Sequence, residues 1–152
     1  MLETGKKAIA FKLNNHEGKP IGPGDFQGKK VVLYFYPKDN TSGCTIEAEG
    51  FRDVYDEILE KGAVVLGVSP DAQKSHENFR SKYNLPFHLL SDEDHSVAEA
   101  YGAWGEKKMY GKSYMGIIRS TFIIDESGKI SHVFPKVSPN EHAKEILKAL
   151  DE

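Results

Sequence analysis

The sequence has very little cysteine: Cys44 is the only one among its 152 residues. A single thiol excludes an intramolecular disulfide, and it excludes structural zinc sites that are built from several thiolates. The six histidines show neither an HxH nor an HExxH spacing. The sequence therefore has no metal-binding motif, and we expect neither a metal nor another cofactor.

Long apolar runs and an excess of basic residues are also missing. No segment is apolar over the ~20 residues that a membrane-spanning helix needs, and residues 1–10 have no apolar stretch typical of a secretory signal. We therefore expect a cytoplasmic protein without a membrane partner. The formal net charge is −3, and Lys and Arg are spread along the chain. This pattern disfavours nucleic-acid binding, which needs a basic patch.

The apolar pattern predicts alternating strands and helices within one domain, residues 1–152. Periodicity indicates strands at residues 8–13, 31–36, 63–68, 87–90, 117–124 and 130–134, and helices at residues 44–61, 71–83, 92–101 and 139–150. The turn sequence at 14–18 predicts an N-terminal hairpin, the capping-box residues Ser138–Glu141 predict the start of the last helix, and residues 102–116 give no assignment. The order of elements predicts an α/β fold of thioredoxin type, with a mixed sheet and helices on both faces.

Cys44 stands at a position that favours reactivity. It follows the buried strand 31–36 and a short polar loop, and it lies at the start of the next helix. Backbone N–H groups there lack intrahelical partners and the helix dipole is positive, so both stabilise a thiolate, which is the nucleophilic form. The alternative is an inert, buried thiol. The small and polar neighbours from Thr41 to Thr45 speak against it.

Three of these residues form a recognisable motif. Pro37, Thr41 and Cys44 make up Pro-x-x-x-Thr-x-x-Cys, and with it the chain resembles the peroxiredoxins. The segment FYPKDNTSGCTIEAEGFRD (residues 35–53) resembles their Q-type subfamily, the bacterioferritin comigratory proteins, and the likeness extends to YGKSYMGIIRSTFIID (residues 110–125). The resemblance implies a thioredoxin-like fold with an N-terminal β-hairpin extension. It also implies reduction of hydrogen peroxide and organic hydroperoxides by Cys44.

The resemblance assigns roles to two charged residues. Arg119 matches an arginine that stabilises the thiolate and polarises the peroxide, and Glu47 matches a glutamate that orients this arginine. Without the resemblance, Arg119 is interpreted as a solvated strand residue. Glu47 is then only a favourable charge in the first turn of a helix.

Roles for the loop residues follow in the same way. The resemblance implies that the Thr41 hydroxyl bonds the sulfur or the peroxide, that the N–H groups of Gly43 and Cys44 hold the peroxide oxygens, and that Pro37 shields the pocket from water. On their own, Thr41 is equally a helix cap and Pro37 equally a strand terminator.

The chain differs from its apparent relatives in the thiol that would reduce, or resolve, an oxidised Cys44. Q-type sequences that use a resolving cysteine most often place it five residues after the peroxidatic one, where this chain has Glu49, and Ser42 replaces a common proline. The resemblance is therefore to a one-cysteine variant. A sulfenic acid on Cys44 then needs an external thiol from thioredoxin, glutaredoxin or glutathione. We expect a monomer by default, with a dimer as the alternative.

Two other functions are compatible with a reactive cysteine. A thiol–disulfide oxidoreductase or a glutathione transferase-like protein could use the same fold, although the Cys-x-x-Cys pair is absent. A redox sensor or chaperone-like protein would oxidise Cys44 with negligible turnover. Multiple-turnover kinetics with candidate thiols separate these hypotheses from a peroxidase.

Overall fold

A five-stranded mixed sheet forms the centre of the structure, a computed structural model that describes residues 1–152. A short 3₁₀ turn at Pro23–Phe26 precedes the third strand. In chain order the elements are β1 (Leu13–Asn14), β2 (Pro20–Ile21), β3 (Lys30–Phe35), α1 (Ser42–Asp53), α2 (Tyr55–Glu60), β4 (Ala63–Ser69), α3 (Gln73–Tyr83), β5 (His88–Ser91), α4 (Ser96–Tyr101), β6 (Trp104–Met109), β7 (Lys112–Ile117), β8 (Ser120–Ile124), β9 (Ile130–Phe134) and α5 (His142–Leu150).

The central sheet has the order β5-β4-β3-β8-β9. β3, β4 and β5 are parallel, whereas β8 and β9 are antiparallel to their neighbours. This arrangement confirms the predicted thioredoxin-like α/β fold. None of the helices combines the length and the apolar character that crossing a bilayer requires.

Both faces of β3 are covered, which explains its unbroken apolar sequence. Tyr34 faces the side of α1, α2, α3 and α5, and its ring centre lies 4.9 Å from that of Phe51. Phe35 faces the side of α4 and packs against Tyr101 and Phe122 at 5.6 and 5.9 Å. The alternation of side chains along the strand thus supplies two separate hydrophobic clusters.

The N-terminal hairpin is present but short. Only Leu13–Asn14 and Pro20–Ile21 pair, so the strand predicted over residues 8–13 is wrong for most of its length. The Asn15 side chain closes the turn by accepting hydrogen bonds from the N–H groups of Glu17 and Lys19. Those bonds match the turn chemistry predicted at residues 14–18.

The helix predicted over residues 44–61 is two helices. Val54, with φ −115° and ψ 12°, interrupts it between α1 and α2. The break lets α1 pack against α5 while α2 packs against both β4 and α5. Gly62 lies just after α2 with φ +76°, as predicted for a residue that follows a helix C-terminus.

Residues 102–116, which gave no assignment, contain a second antiparallel hairpin of β6 and β7. Tyr110 and Gly111 form its turn, with φ +53° and +77°. Two consecutive left-handed residues are typical of a tight hairpin turn. The hairpin leads through Ile118 into Arg119 and β8.

The last helix begins later than predicted. It starts at His142, and Glu141 adopts a left-handed φ of +68°, so the capping box at Ser138–Glu141 does not form. The segment before it lies against β8 instead, where the Val137 N–H donates to the Arg119 carbonyl.

Candidate active site

Cys44 is the third residue of α1, and it is only 1 % exposed. The first backbone bond of this helix runs from the Thr45 N–H to the Thr41 carbonyl. The N–H groups of Gly43 and Cys44 therefore have no intrahelical acceptor and remain available at the positive end of the helix dipole. The predicted position of Cys44 in the first turn is confirmed.

Sheet register brings Arg119 to Cys44 from 75 residues away. Phe35 at the end of β3 pairs with Ser120 at the start of β8. The residues that follow β3 toward Cys44 and the residue that precedes β8 therefore lie at the same end of these two paired strands. The Arg119 Nη2 donates a hydrogen bond to the Cys44 Sγ at 3.2 Å.

The second arm of Arg119 binds Glu47. Its Nη1 donates to the Glu47 Oε1 at 2.6 Å, and the two side chains are 17 % and 0 % exposed. Glu47 lies three residues after Cys44, so it points to the same side of α1. Arg119 therefore bridges a buried carboxylate and the only sulfur nucleophile of the chain.

Burial dominates the electrostatics of Glu47. It raises the pKa of this carboxyl to about 7, although the Arg119 guanidinium acts in the opposite direction. The Oε2 atom is buried without a hydrogen-bond partner, which adds to the cost of the charged form. The same surroundings raise the pKa of Arg119, because Glu47 and Cys44 outweigh its desolvation.

The two loop residues of the motif, Thr41 and Pro37, form no hydrogen bond with the Cys44 sulfur. The Thr41 side chain is exposed, and its hydroxyl donates to the Lys38 carbonyl at 2.9 Å rather than to Cys44. It does not cap α1 either, although Thr41 occupies the N-cap position. Pro37 follows Tyr36 beyond the end of β3 and is half-buried.

Gly43 gives Arg119 access to the helix terminus. A Cβ at this position would lie 3.3 Å from the Arg119 Nη2 and 3.4 Å from the Pro139 Cγ. The first distance is shorter than ordinary van der Waals contact and the second is at its lower limit, so glycine lets the guanidinium and the proline pack closely against the backbone. Pro139, which was interpreted as a helix-start residue, is thus a wall of the site.

Lys107 was missed by the sequence analysis. It lies on β6 and is half-buried, and no carboxylate forms an ion pair with it. Burial lowers its pKa, the positive charge of Arg119 lowers it further, and Cys44 acts in the opposite direction. Its Nζ lies 6.0 Å from the centre of the Tyr114 ring on β7. Since residues 102–116 gave no strand pattern, nothing in the sequence indicated where its side chain lies.

Glu49 lies on the following turn of α1 and forms an ion pair with Arg52 at 3.4 Å. Residues five apart on an α-helix have Cα atoms about 8–9 Å apart by helix geometry. This exceeds the Cα separation of about 7 Å at which a disulfide can close. The structure holds one free cysteine, Cys44, and no disulfide.

Only one group of side chains has donor atoms close enough to hold a metal ion: Asp39, Asp71 and His76, within 4.8 Å of one another. Each of these donor atoms already has protein partners. The group lies in the loop between β3 and α1 and at the start of α3.

Comparison with known sequences places these features in context. The model of the AhpC/TSA family matches residues 4–133. The chain is 52 % identical over 149 residues to a putative peroxiredoxin Bcp of Coxiella burnetii, covering 98 % of this chain and 99 % of that protein. It is 48 % identical over 149 residues to peroxiredoxin Bcp of Bacillus subtilis, with 98 % and 95 % covered.

Solved structures give the same result. The bacterioferritin comigratory protein of Xanthomonas campestris, studied for its alkyl peroxide reduction activity, superposes with a TM-score of 0.91 at 37 % identity, covering 98 % of both chains. A cysteine-to-serine mutant of PrxQ from Xylella fastidiosa superposes with a TM-score of 0.94 at 34 % identity, covering 99 % of this chain and 96 % of that one.

Proposed function

Since the chain belongs to the AhpC/TSA family and is a peroxiredoxin, a thiol-dependent peroxidase, we propose that Cys44 is its peroxidatic cysteine. The observation that carries this proposal is the 3.2 Å hydrogen bond from Arg119 to the Cys44 sulfur. A permanent cation at that distance favours the thiolate over the thiol. The helix N-terminus acts in the same direction.

In the proposed first step, the Cys44 thiolate attacks one oxygen of the hydroperoxide. A sulfur–oxygen bond forms while the oxygen–oxygen bond breaks, and the leaving oxygen takes up a proton to give water or an alcohol. Negative charge moves from sulfur to oxygen along this path. Arg119 and the free N–H groups of Gly43 and Cys44 surround it, so donors are in place before the charge arrives.

The remaining motif residues have supporting roles in the proposal. Glu47 holds the Arg119 guanidinium in one orientation through the 2.6 Å bond. The Thr41 hydroxyl, which donates to the Lys38 carbonyl, keeps its lone pairs for the hydrogen of a hydroperoxide. Half-buried Pro37 limits water at the mouth of the site.

In the second step, an external thiol reduces the sulfenic acid, because Glu49 occupies the family's resolving position. The thiol sulfur bonds to the Cys44 sulfur and hydroxide leaves as water. A second thiolate then attacks the mixed disulfide, which releases Cys44 and completes the oxidation of two thiols. Thioredoxin, glutaredoxin or glutathione fits this role, and all three belong to a reducing cytoplasm, the compartment that we propose.

Replacement of the sulfur tests the assignment. Cys44→Ser should abolish turnover of hydrogen peroxide and of an organic hydroperoxide while leaving the circular dichroism spectrum and thermal unfolding close to the wild type. Turnover is measured with thioredoxin or glutathione as the reductant, in protein treated with a chelator. Retained turnover in that sample would show that another group reduces the peroxide.

A further inference from the structure

A buried polar network ties the loop of residues 36–41 to α3, and the reaction scheme above does not use it. Asp39 is at its centre. Its Oδ1 accepts a hydrogen bond from the Tyr36 hydroxyl at 2.6 Å. Its Oδ2 accepts one from the Ser75 hydroxyl at 2.8 Å and lies 2.7 Å from the His76 Nδ1. The Asp39 carboxylate is therefore bound by Tyr36 of the loop itself and by two residues of α3.

The His76 ring is held at both of its nitrogens. Its Nδ1 lies 2.7 Å from the Asp39 carboxylate, and its Nε2 lies 3.0 Å from the Leu90 carbonyl. The His76 and Asp39 side chains are 0 % and 1 % exposed. Loss of either partner would leave a buried polar group unsatisfied, so the pair is a firm attachment.

Further bonds fix the backbone next to this pair. The Asp39 N–H donates to the Asp71 Oδ2 at 2.8 Å, and the Asn40 Oδ1 accepts from the Tyr83 hydroxyl at 3.0 Å. These anchors stand five and four residues before Cys44. Because Thr41 follows them directly as the N-cap residue of α1, they set where the first turn of the helix lies.

The same anchors oppose access to the sulfur. Cys44 is 1 % exposed, yet the proposed function requires a thiol of another molecule to come within bonding distance of it, ~2 Å between sulfurs. A small peroxide needs little room, whereas a thiol carried by a peptide or a protein needs the loop and the first turn of α1 to move. The network therefore favours the first step, attack on the peroxide, and opposes the second step, reduction of the sulfenic acid by an external thiol.

We infer that Asp39 and His76 are positioning residues of the peroxidase. Their buried contact holds the loop of residues 36–41 in the arrangement that serves peroxide attack, and it restrains the movement that exposes the Cys44 sulfenic acid to the external thiol. The inference rests on the proposed function, because it assumes that Cys44 carries both steps.

A matched pair of tyrosine variants tests it. Tyr36 and Tyr101 are both buried, and each hydroxyl donates one hydrogen bond, to Asp39 at 2.6 Å and to the Ile9 carbonyl at 2.7 Å. Tyr36→Phe should slow single-turnover oxidation of Cys44 by about fivefold, the size expected for one lost hydrogen bond. It should also accelerate formation of the glutathione mixed disulfide from pre-formed sulfenic acid. Tyr101→Phe should change neither rate constant.

Variants of the pair itself extend the test. Asp39→Asn and His76→Gln should shift both rate constants in the same directions and further. If either fails to fold, Tyr36→Phe and Ser75→Ala still decide the question, since each removes one bond to Asp39 and leaves the contact between Asp39 and His76.

The outcomes are distinct. A Tyr36→Phe protein whose two rate constants are unchanged or slowed equally would overturn the inference. Failure of the proposed function would look different, because then wild-type Cys44 itself would form no sulfenic acid in the single-turnover experiment.

Discussion

At the scale of single residues, Arg119 links Cys44, the proposed nucleophile, to the buried carboxylate of Glu47. One nitrogen lies 3.2 Å from the Cys44 sulfur and the other 2.6 Å from Glu47. The carboxylate fixes the direction of the guanidinium, but it also offsets part of its charge at the sulfur. Glu47 therefore reduces the electrostatic stabilisation of the thiolate while it keeps the guanidinium in one orientation.

Removal of the Arg119 guanidinium tests whether this arginine, in contrast to others, stabilises the Cys44 thiolate. Arg119→Met should move the pH midpoint of Cys44 alkylation upward, because the thiolate loses its cation. It should slow peroxide attack by about a hundredfold, as loss of one fixed donor does in other enzymes. Arg52→Met, whose partly buried side chain pairs with Glu49 and Asp53 rather than with Cys44, is the control and should change neither quantity. An unchanged midpoint in Arg119→Met would contradict the proposed role.

Glu47 should leave a signature in the pH dependence of stability. The folded protein keeps the Glu47 proton up to a pKa of about 7, above the ordinary value of 4.5. The unfolded chain releases this proton first as the pH rises. The contribution of Glu47 to the free energy of unfolding therefore falls between pH 4.5 and 7, by up to about 3 kcal/mol.

Urea unfolding at pH 5 and pH 7 measures this effect. Glu47→Gln should lose less stability than the wild type between these two values, since glutamine does not titrate. The exposed Glu57→Gln is the control and should keep the wild-type difference. An equal difference in Glu47→Gln and the wild type would mean that Glu47 ionises at its ordinary value.

At the scale of elements, α1 contains two glycines with different surroundings. A Cβ on Gly43 would lie 3.3 Å from the Arg119 Nη2, whereas a Cβ on Gly50 would lie 3.5 Å from the Ala143 Cβ, an ordinary contact. Gly50→Ala should therefore stabilise the protein by about 1 kcal/mol through helix propensity and leave the rate of peroxide reduction unchanged.

Gly43→Ala should instead displace the guanidinium. We expect peroxide reduction to slow by roughly tenfold, because small misplacements of a catalytic group are costly, while circular dichroism shows intact helices. Parallel stopped-flow measurements on both variants make the comparison. Equal rates for Gly43→Ala and Gly50→Ala would show that Arg119 does not need the space above Gly43.

The sequence predicted those elements whose pattern is local. β9 matches at Ile130–Phe134, and β3 and β4 match within about a residue, because buried strands have continuous apolar runs. The β6–β7 hairpin was not predicted. Its strands are mostly polar and partly exposed, and its turn pairs Tyr110 with Gly111 rather than using a common Asn-Gly.

The last helix shows how tertiary contacts override a local signal. Ser138 and Pro139 have the chemistry of a helix start, but Pro139 packs beside Gly43 and the Val137 N–H binds the Arg119 carbonyl. Those contacts hold residues 137–141 in a non-helical conformation, so the helix begins only at His142. The same applies to the site: Cys44 could be placed in a first helical turn from sequence, whereas its 3.2 Å contact with Arg119 and the network around Asp39 depend on how distant elements pack.

At the scale of the whole molecule, the sheet decides where the chemistry takes place. Antiparallel pairing of β3 with β8 sets Cys44 beside Arg119, and the loop that follows β3 is anchored on α3. The two halves of the reaction nevertheless depend on different partners. Peroxide attack needs only groups of this chain, whereas reduction needs a second molecule because no other cysteine exists.

Intact-mass analysis after one equivalent of peroxide tests this account most directly. Without a thiol, the wild type should gain one oxygen atom, and peptide mapping should place it on Cys44. With glutathione or thioredoxin present, it should form a mixed disulfide at Cys44 and then return to the starting mass. Oxygen found elsewhere, or a trapped Cys44 sulfenic acid that forms no mixed disulfide with any of these thiols, would contradict the one-cysteine peroxidase cycle.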